Sequence, residues 1–158
     1  MFDLIDSIKS IESVLDVAIW LEKRGKEFYE NAVSSVRDND EIKTMLLFLI
    51  EQEKNHEAMY KSLSKKITGD PTLQDELFGE YGMFIRLLIS EITESMKFDH
   101  SMSLDQLIQT AIQFEKDTLL YFHEIKKLFK EKDSIAIQTI CDEERNHIRL
   151  LMDARKSI

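Results

Sequence analysis

The chain has 158 residues, about one domain's worth, and its single proline and four glycines are too few for the many turns of a sandwich or barrel. Charged residues make up 32% of it and the formal net charge is −9, which argues against nucleic acid or an anionic membrane surface as a partner. One cysteine excludes an internal disulfide and any four-cysteine iron or zinc module within these residues.

The opening run Met1-Phe2-Asp3-Leu4-Ile5-Asp6 is acidic, without the basic start or small-residue cleavage site of a signal peptide. No stretch is apolar for long enough to span a bilayer, so the expected location is the cytoplasm. From about residue 10 to 36, Val14, Val17, Ala18, Leu21, Phe28, Ala32 and Val33 recur at helical period. Glu22 lies on that stripe, and Gly25 follows one turn later. A glycine inside a helix costs roughly 1 kcal/mol relative to alanine, which hints at a neighbour in close approach.

Arg37-Asp38-Asn39-Asp40 reads as a turn, with Asp38 and Glu41 spaced for a capping box. The second helix, about 39–66, carries Ile42, Met45, Leu46, Leu49, Glu53, His56, Tyr60 and Leu63 on one stripe. The polar pair Glu53 and His56 thus falls on a face meant for burial, where it is costly without a partner. Gly69-Asp70-Pro71 should end this helix. A crossover of about 67–102 follows, with a shorter helix striped by Tyr81, Phe84, Ile85, Leu88, Ile92 and Met96. That stripe either covers a flank of the fold or supports a contact with a second copy. Lys97-Phe98-Asp99-His100-Ser101 reads as loop.

The third long helix, about 103–130, opens on a Ser103/Gln106 capping box and turns Leu107, Ile108, Ala111, Glu115, Thr118, Phe122 and Ile125 inward. After the turn Lys130-Glu131-Lys132-Asp133, with Asp133 as the expected cap, the last helix (about 133–156) points Ile137, Ile140, Cys141, Glu144, His147, Ile148 and Leu151 inward.

These elements are two copies of one unit. Ala18-Ile19-Trp20-Leu21-Glu22-Lys23 matches Ala111-Ile112-Gln113-Phe114-Glu115-Lys116, and Glu53-Lys54-Asn55-His56 matches Glu144-Arg145-Asn146-His147. The offset is 93 residues from Glu22 to Glu115 and 91 from Glu53 to Glu144. Short turns make each pair of long helices antiparallel neighbours, and the crossover carries the chain back along the bundle. The expected fold is therefore all-α, an antiparallel four-helix bundle with a long crossover containing a short extra helix.

Residues three apart on a helix share a face, so each Glu-x-x-His presents a carboxylate and an imidazole together. With Glu22 and Glu115, the pairs Glu53/His56 and Glu144/His147 converge near mid-height. Four carboxylates and two imidazoles suit two divalent ions, each with one histidine: iron or manganese, with zinc able to bind. Tyr29 and Tyr121, about two turns past their glutamates, either hydrogen-bond a ligand carboxylate, donate electrons, or serve as aromatic core. Cys141 reads as a small buried hydrophobe, or as a thiol close to the metals. Asn55 and Asn146 either orient groups behind the ligands or face water, and His100 and His123 face water. Met45 and Met59 fill core space.

These motifs, with Gly25-x-x-Phe28-Tyr29, resemble the rubrerythrin group of ferritin-like di-iron proteins over about residues 12–64 and 105–155. The resemblance implies a ferritin-like bundle with Glu22, Glu53, His56, Glu115, Glu144 and His147 binding two iron ions. It implies reduction of hydrogen peroxide, or of dioxygen, in oxidative-stress protection, and assembly as a homodimer or higher oligomer. The alternative is a ferroxidase, iron-binding or iron-storage protein without a peroxidase cycle. Two departures stand out. Rubrerythrins typically carry a four-cysteine rubredoxin module, so here the expected electron donor is a separate rubredoxin-like protein. They also have a further glutamate one turn beyond the third-helix ligand, where this chain has Thr118.

Overall fold

The computed structural model describes residues 8–67, 75 and 77–158. Among the described residues it contains five α-helices and a short 3-10 turn, and no strand. The helices are α1 (Ile11–Ser35), α2 (Asp40–Ser64), α3 (Glu80–Ser95), α4 (Leu104–Ile125) and α5 (Glu131–Lys156). Contacts run mainly between α1 and α2 and between α4 and α5; α1 also meets α4, α2 meets α5, and α3 packs on α4. The result is a four-helix bundle whose crossover helix lies on one flank.

Local chemistry sets the helix starts. Ser10 caps α1 in a reciprocal box with Ser13, and Ser103 does the same for α4 with Gln106 as expected. The cap of α2 differs from expectation by one residue. Asn39, not Asp38, adopts the extended cap conformation, and its side-chain oxygen accepts from the Ile42 N–H at 3.0 Å. Since Asp40 is the first helical residue, the three-residue capping spacing runs from Asn39 and bypasses Glu41.

The last turn also differs. α4 ends at Ile125 and tightens into a 3-10 turn, Lys126–Leu128, short of the expected 130. α5 begins at Glu131 after Lys130, which offers no side-chain cap; the Asp133 N–H instead donates to the Lys130 carbonyl at 2.9 Å. Asp133 therefore sits inside the first turn beside Glu131, where carboxylates complement the helix dipole. α2 stops at Ser64, its end closed by the Lys66 and Ile67 N–H groups on the Leu63 carbonyl. Gly69-Asp70-Pro71, like the N-terminal run, lies outside the described residues.

The expected stripes are largely buried, with Val33, Met45, Tyr81 and Ile148 only half-buried, as is the core filler Met59. Phe84 is the exception on the crossover: it is exposed, while Ile85, Leu88, Ile89 and Ile92 are buried. Because α3 has one main neighbour, its buried stripe is narrow, and Phe84 falls on the flank.

Candidate metal centre

The six residues picked out by the repeat are brought together from four helices: Glu22 from α1, Glu53 and His56 from α2, Glu115 from α4, Glu144 and His147 from α5. None is more than 2% exposed. They form two overlapping groups, Glu22/Glu53/His56/Glu144 and Glu53/Glu115/Glu144/His147, and within each the candidate ligand atoms all lie within 4.8 Å of one another. Glu53 and Glu144 belong to both groups. Glu22 and His56 belong only to the first, Glu115 and His147 only to the second.

Glu144 straddles the centre. Its Oε1 lies 2.8 Å from His56 Nδ1, and its Oε2 lies 2.9 Å from His147 Nδ1. His56 Nδ1 is also 3.5 Å from Glu22 Oε2, while His147 Nδ1 is 3.6 Å from Glu53 Oε1 and 3.7 Å from Glu115 Oε1. The imidazoles are nearly parallel, 5.4 Å between centroids. Both turn Nδ1 toward the carboxylates.

Burial controls the protonation of this cluster. It raises Glu22 to about 7 and Glu115 to about 8, and pushes Glu53 well above the carboxylate range, with neighbouring carboxylates adding to the effect on each. Burial acts the same way on Glu144, but the two histidines outweigh it and hold that carboxyl below its ordinary range. The histidines feel the converse. Burial disfavours their charge, yet Glu144 and Glu22 raise His56 to about 11, and Glu115 and Glu144 raise His147 to about 10.

Even so, Glu22 Oε1, Glu53 Oε1, Glu144 Oε2 and the Nδ1 atoms of both histidines have no aligned hydrogen-bond partner. Buried polar atoms are normally satisfied. Here the unpartnered atoms converge, and once deprotonated their oxygen and nitrogen mixture fits two divalent ions.

The surroundings support the cluster unequally. The Tyr29 hydroxyl donates to Glu115 Oε1 across the bundle, whereas Tyr121 donates to the Val14 carbonyl at 2.8 Å and touches no carboxylate. Cys141 is a buried thiol whose ionisation burial pushes up to about 11. Asn55 and Asn146 are exposed, as are His100 and His123, so neither asparagine stands behind a ligand. Thr118 is buried, with its hydroxyl turned back onto the carbonyls of Phe114 and Glu115.

Two residues near the cluster received no role from the sequence. Glu143 accepts from His56 Nε2 at 2.7 Å from a half-exposed position. The Tyr60 hydroxyl is buried without a partner, its ring 5.1 Å from that of Phe122. Glu143 carries one usable signal: it immediately precedes a candidate ligand, and its repeat counterpart is Gln52.

Gly25 confirms the close approach. A Cβ there would overlap the Glu53 carboxylate and come within 2.9 Å of the Phe114 ring. Gly25→Ala is expected to cost about 1–3 kcal/mol by overpacking, read as a lower melting temperature of the metal-free protein. An unchanged melting temperature would show that Glu53 moves aside freely.

A sequence model of the rubrerythrin family matches residues 12–155, nearly the whole chain. The chain belongs to the rubrerythrin family. Among solved structures it resembles that of a candidate ferritin-like diiron-carboxylate protein from Thermotoga maritima, with a TM-score of 0.69 and 24% identity over 93% of this chain and 95% of that one. At that identity the likeness speaks to the fold alone. No curated protein matches the chain in sequence. The rubrerythrin family and the buried carboxylate and imidazole cluster together point to a di-iron protein. No helix among the described residues is long and apolar enough to cross a membrane.

Proposed function

We propose that this rubrerythrin-family chain holds two iron ions between Glu22, Glu53, His56, Glu115, Glu144 and His147 and reduces hydrogen peroxide or dioxygen with electrons from a separate donor. The observation that carries this reading is the pair of overlapping ligand groups sharing Glu53 and Glu144. Iron held there would supply two electrons, one from each Fe(II), so that peroxide and two protons yield two water molecules. Manganese or zinc would fit the same donors.

The protein's own part is to hold charge and geometry. Four carboxylates balance two divalent cations, which is what makes their joint burial tolerable. Tyr29 fixes one oxygen of Glu115, and Glu143 fixes the ring of His56. Return to the reduced state calls for an external donor such as a rubredoxin, and we place this activity in cytoplasmic defence against oxidants. The exposed Met83, Phe84 and Leu87 on α3 offer an apolar surface for a homodimer or higher oligomer.

Thr118 favours a second reading. With its hydroxyl committed to backbone carbonyls, it supplies no further carboxylate beside Glu115, which suits a ferroxidase or iron-binding protein without a peroxidase cycle.

One experiment separates them. Protein purified without chelators is analysed for metals, loaded anaerobically with Fe(II), and mixed with peroxide or with air. Fast oxidation by peroxide, reversed by a reduced rubredoxin, is the expected result. Ferric iron retained as mineral in a large oligomer would establish storage, and absence of bound metal would overturn both readings.

A further inference from the structure

The repeat places equivalent residues in the two halves of the centre, but the surroundings of the two histidines are not equivalent. Both direct Nδ1 inward. Behind His56, the Glu143 carboxylate lies 2.7 Å from Nε2. Behind His147, Nε2 is buried and has no hydrogen-bond partner. The residue 91 positions before Glu143 is Gln52, a neutral side chain that makes no bond to His147. Phe48 instead sets its ring edge-on to the His147 imidazole, with centroids 6.5 Å apart.

A carboxylate accepting the far N–H of an imidazole does two things to the near nitrogen. It fixes the tautomer, so the Nδ1 lone pair stays directed into the centre, and it increases electron donation from the ring. Loss of such a partner typically costs about 10–100-fold in metal affinity. Only His56 has one.

We infer that the two metal positions are unequal and fill in order, the Glu22/His56 position first, because Glu143 backs His56 and nothing equivalent backs His147. This rests on the metal-centre reading above and adds which half leads. Glu143 is here a positioning residue acting through His56.

The test is titration of the metal-free protein with Co(II), followed by calorimetry and by the visible absorption of the bound ion. The wild type should bind in two resolved steps. His56→Ala should remove the tight step and His147→Ala the weak one. Glu143→Ala should weaken the tight step about 10–100-fold while leaving total binding intact, and Glu143→Gln, which can still accept the bond, should recover part of it. The decisive variant is Gln52→Glu, expected to tighten the weak step; a merely structural role for Glu143 predicts no such gain. Equal steps in the wild type, or a tight step indifferent to Glu143→Ala, would overturn the ordering while leaving the metal centre standing. A wild type that binds no Co(II) would instead remove the centre itself.

Discussion

Glu53→Ala and Glu144→Ala should each abolish binding of both metal ions, whereas Glu22→Ala should abolish only one. The difference follows from membership: Glu53 and Glu144 are common to both ligand groups, while Glu22 and Glu115 each serve one. Since even a partner behind a ligand is worth about 10–100-fold in affinity, loss of a shared ligand should exceed that at both positions. Metal content after equilibrium dialysis reads the result directly. Stability should move the other way. Burial and neighbouring carboxylates push Glu53 well above its ordinary range, and without metal its Oε1 is buried without a hydrogen-bond partner, so the alanine variant should melt no lower than the wild type. A Glu53→Ala protein that keeps one ion as firmly as Glu22→Ala does would show that the carboxylate is not shared.

The second large effect is a pH dependence whose direction depends on the metal. In the metal-free protein, Glu22 at about 7 and Glu115 at about 8 lie above their ordinary 4.5. A folded-state value raised above the unfolded one contributes stability that is complete below pH 4.5 and lost as pH rises through 7 and 8. His56 and His147, raised from 6.5 to about 11 and 10, have the same sign: their contribution is complete below 6.5 and fades toward pH 10 and 11. Glu144, held low, opposes this only in acid, where its contribution is lost as pH falls. Each pH unit separating a group's folded and unfolded titration is worth about 1.4 kcal/mol, so the metal-free protein should lose several kcal/mol of stability from about pH 5 to 9. For a chain of this size, at about 2–4 °C per kcal/mol, that is about 10 °C or more in melting temperature. With saturating Mn(II) or Co(II) the stabilisation should grow with pH, because the ions compete with protons for the same atoms. Melting curves in chelator and in metal across this range make the comparison. A metal-free melting temperature that rises toward pH 9 would contradict the proton placement.

Much of the centre was legible in the chain because the candidate ligands lie on apolar stripes. Glu22, Glu53, Glu115 and Glu144 stand where a leucine would otherwise be expected, and the internal repeat pairs them with one another. Gly25 signalled a close approach without naming Glu53 as the group approaching. Features that depend on where one helix meets another were not readable. Glu143 lies on a half-exposed flank, and its bond to His56 spans 87 residues between two helices. The donation from Tyr29 to Glu115 likewise crosses the bundle, and nothing in the spacing distinguished Tyr29 from Tyr121. Which carboxylates are shared depends on side-chain position, since all four share one residue type. At the helix ends, Asp38 and Asn39 are both good caps, and a single residue of helix length decided between them. Phe84 looked inward on period alone; the narrow contact of α3 with α4 left it outside.

The overlap of the two ligand groups has a consequence for exchange. The first group takes Glu144 from the opposite helical hairpin, and the second takes Glu53. Neither hairpin holds a full set, so a bound ion would tie the two hairpins together, and its release would require ligands from both to let go. Ions held there should therefore escape slowly, and a filled centre would act as a clasp joining the front half of the chain to the back.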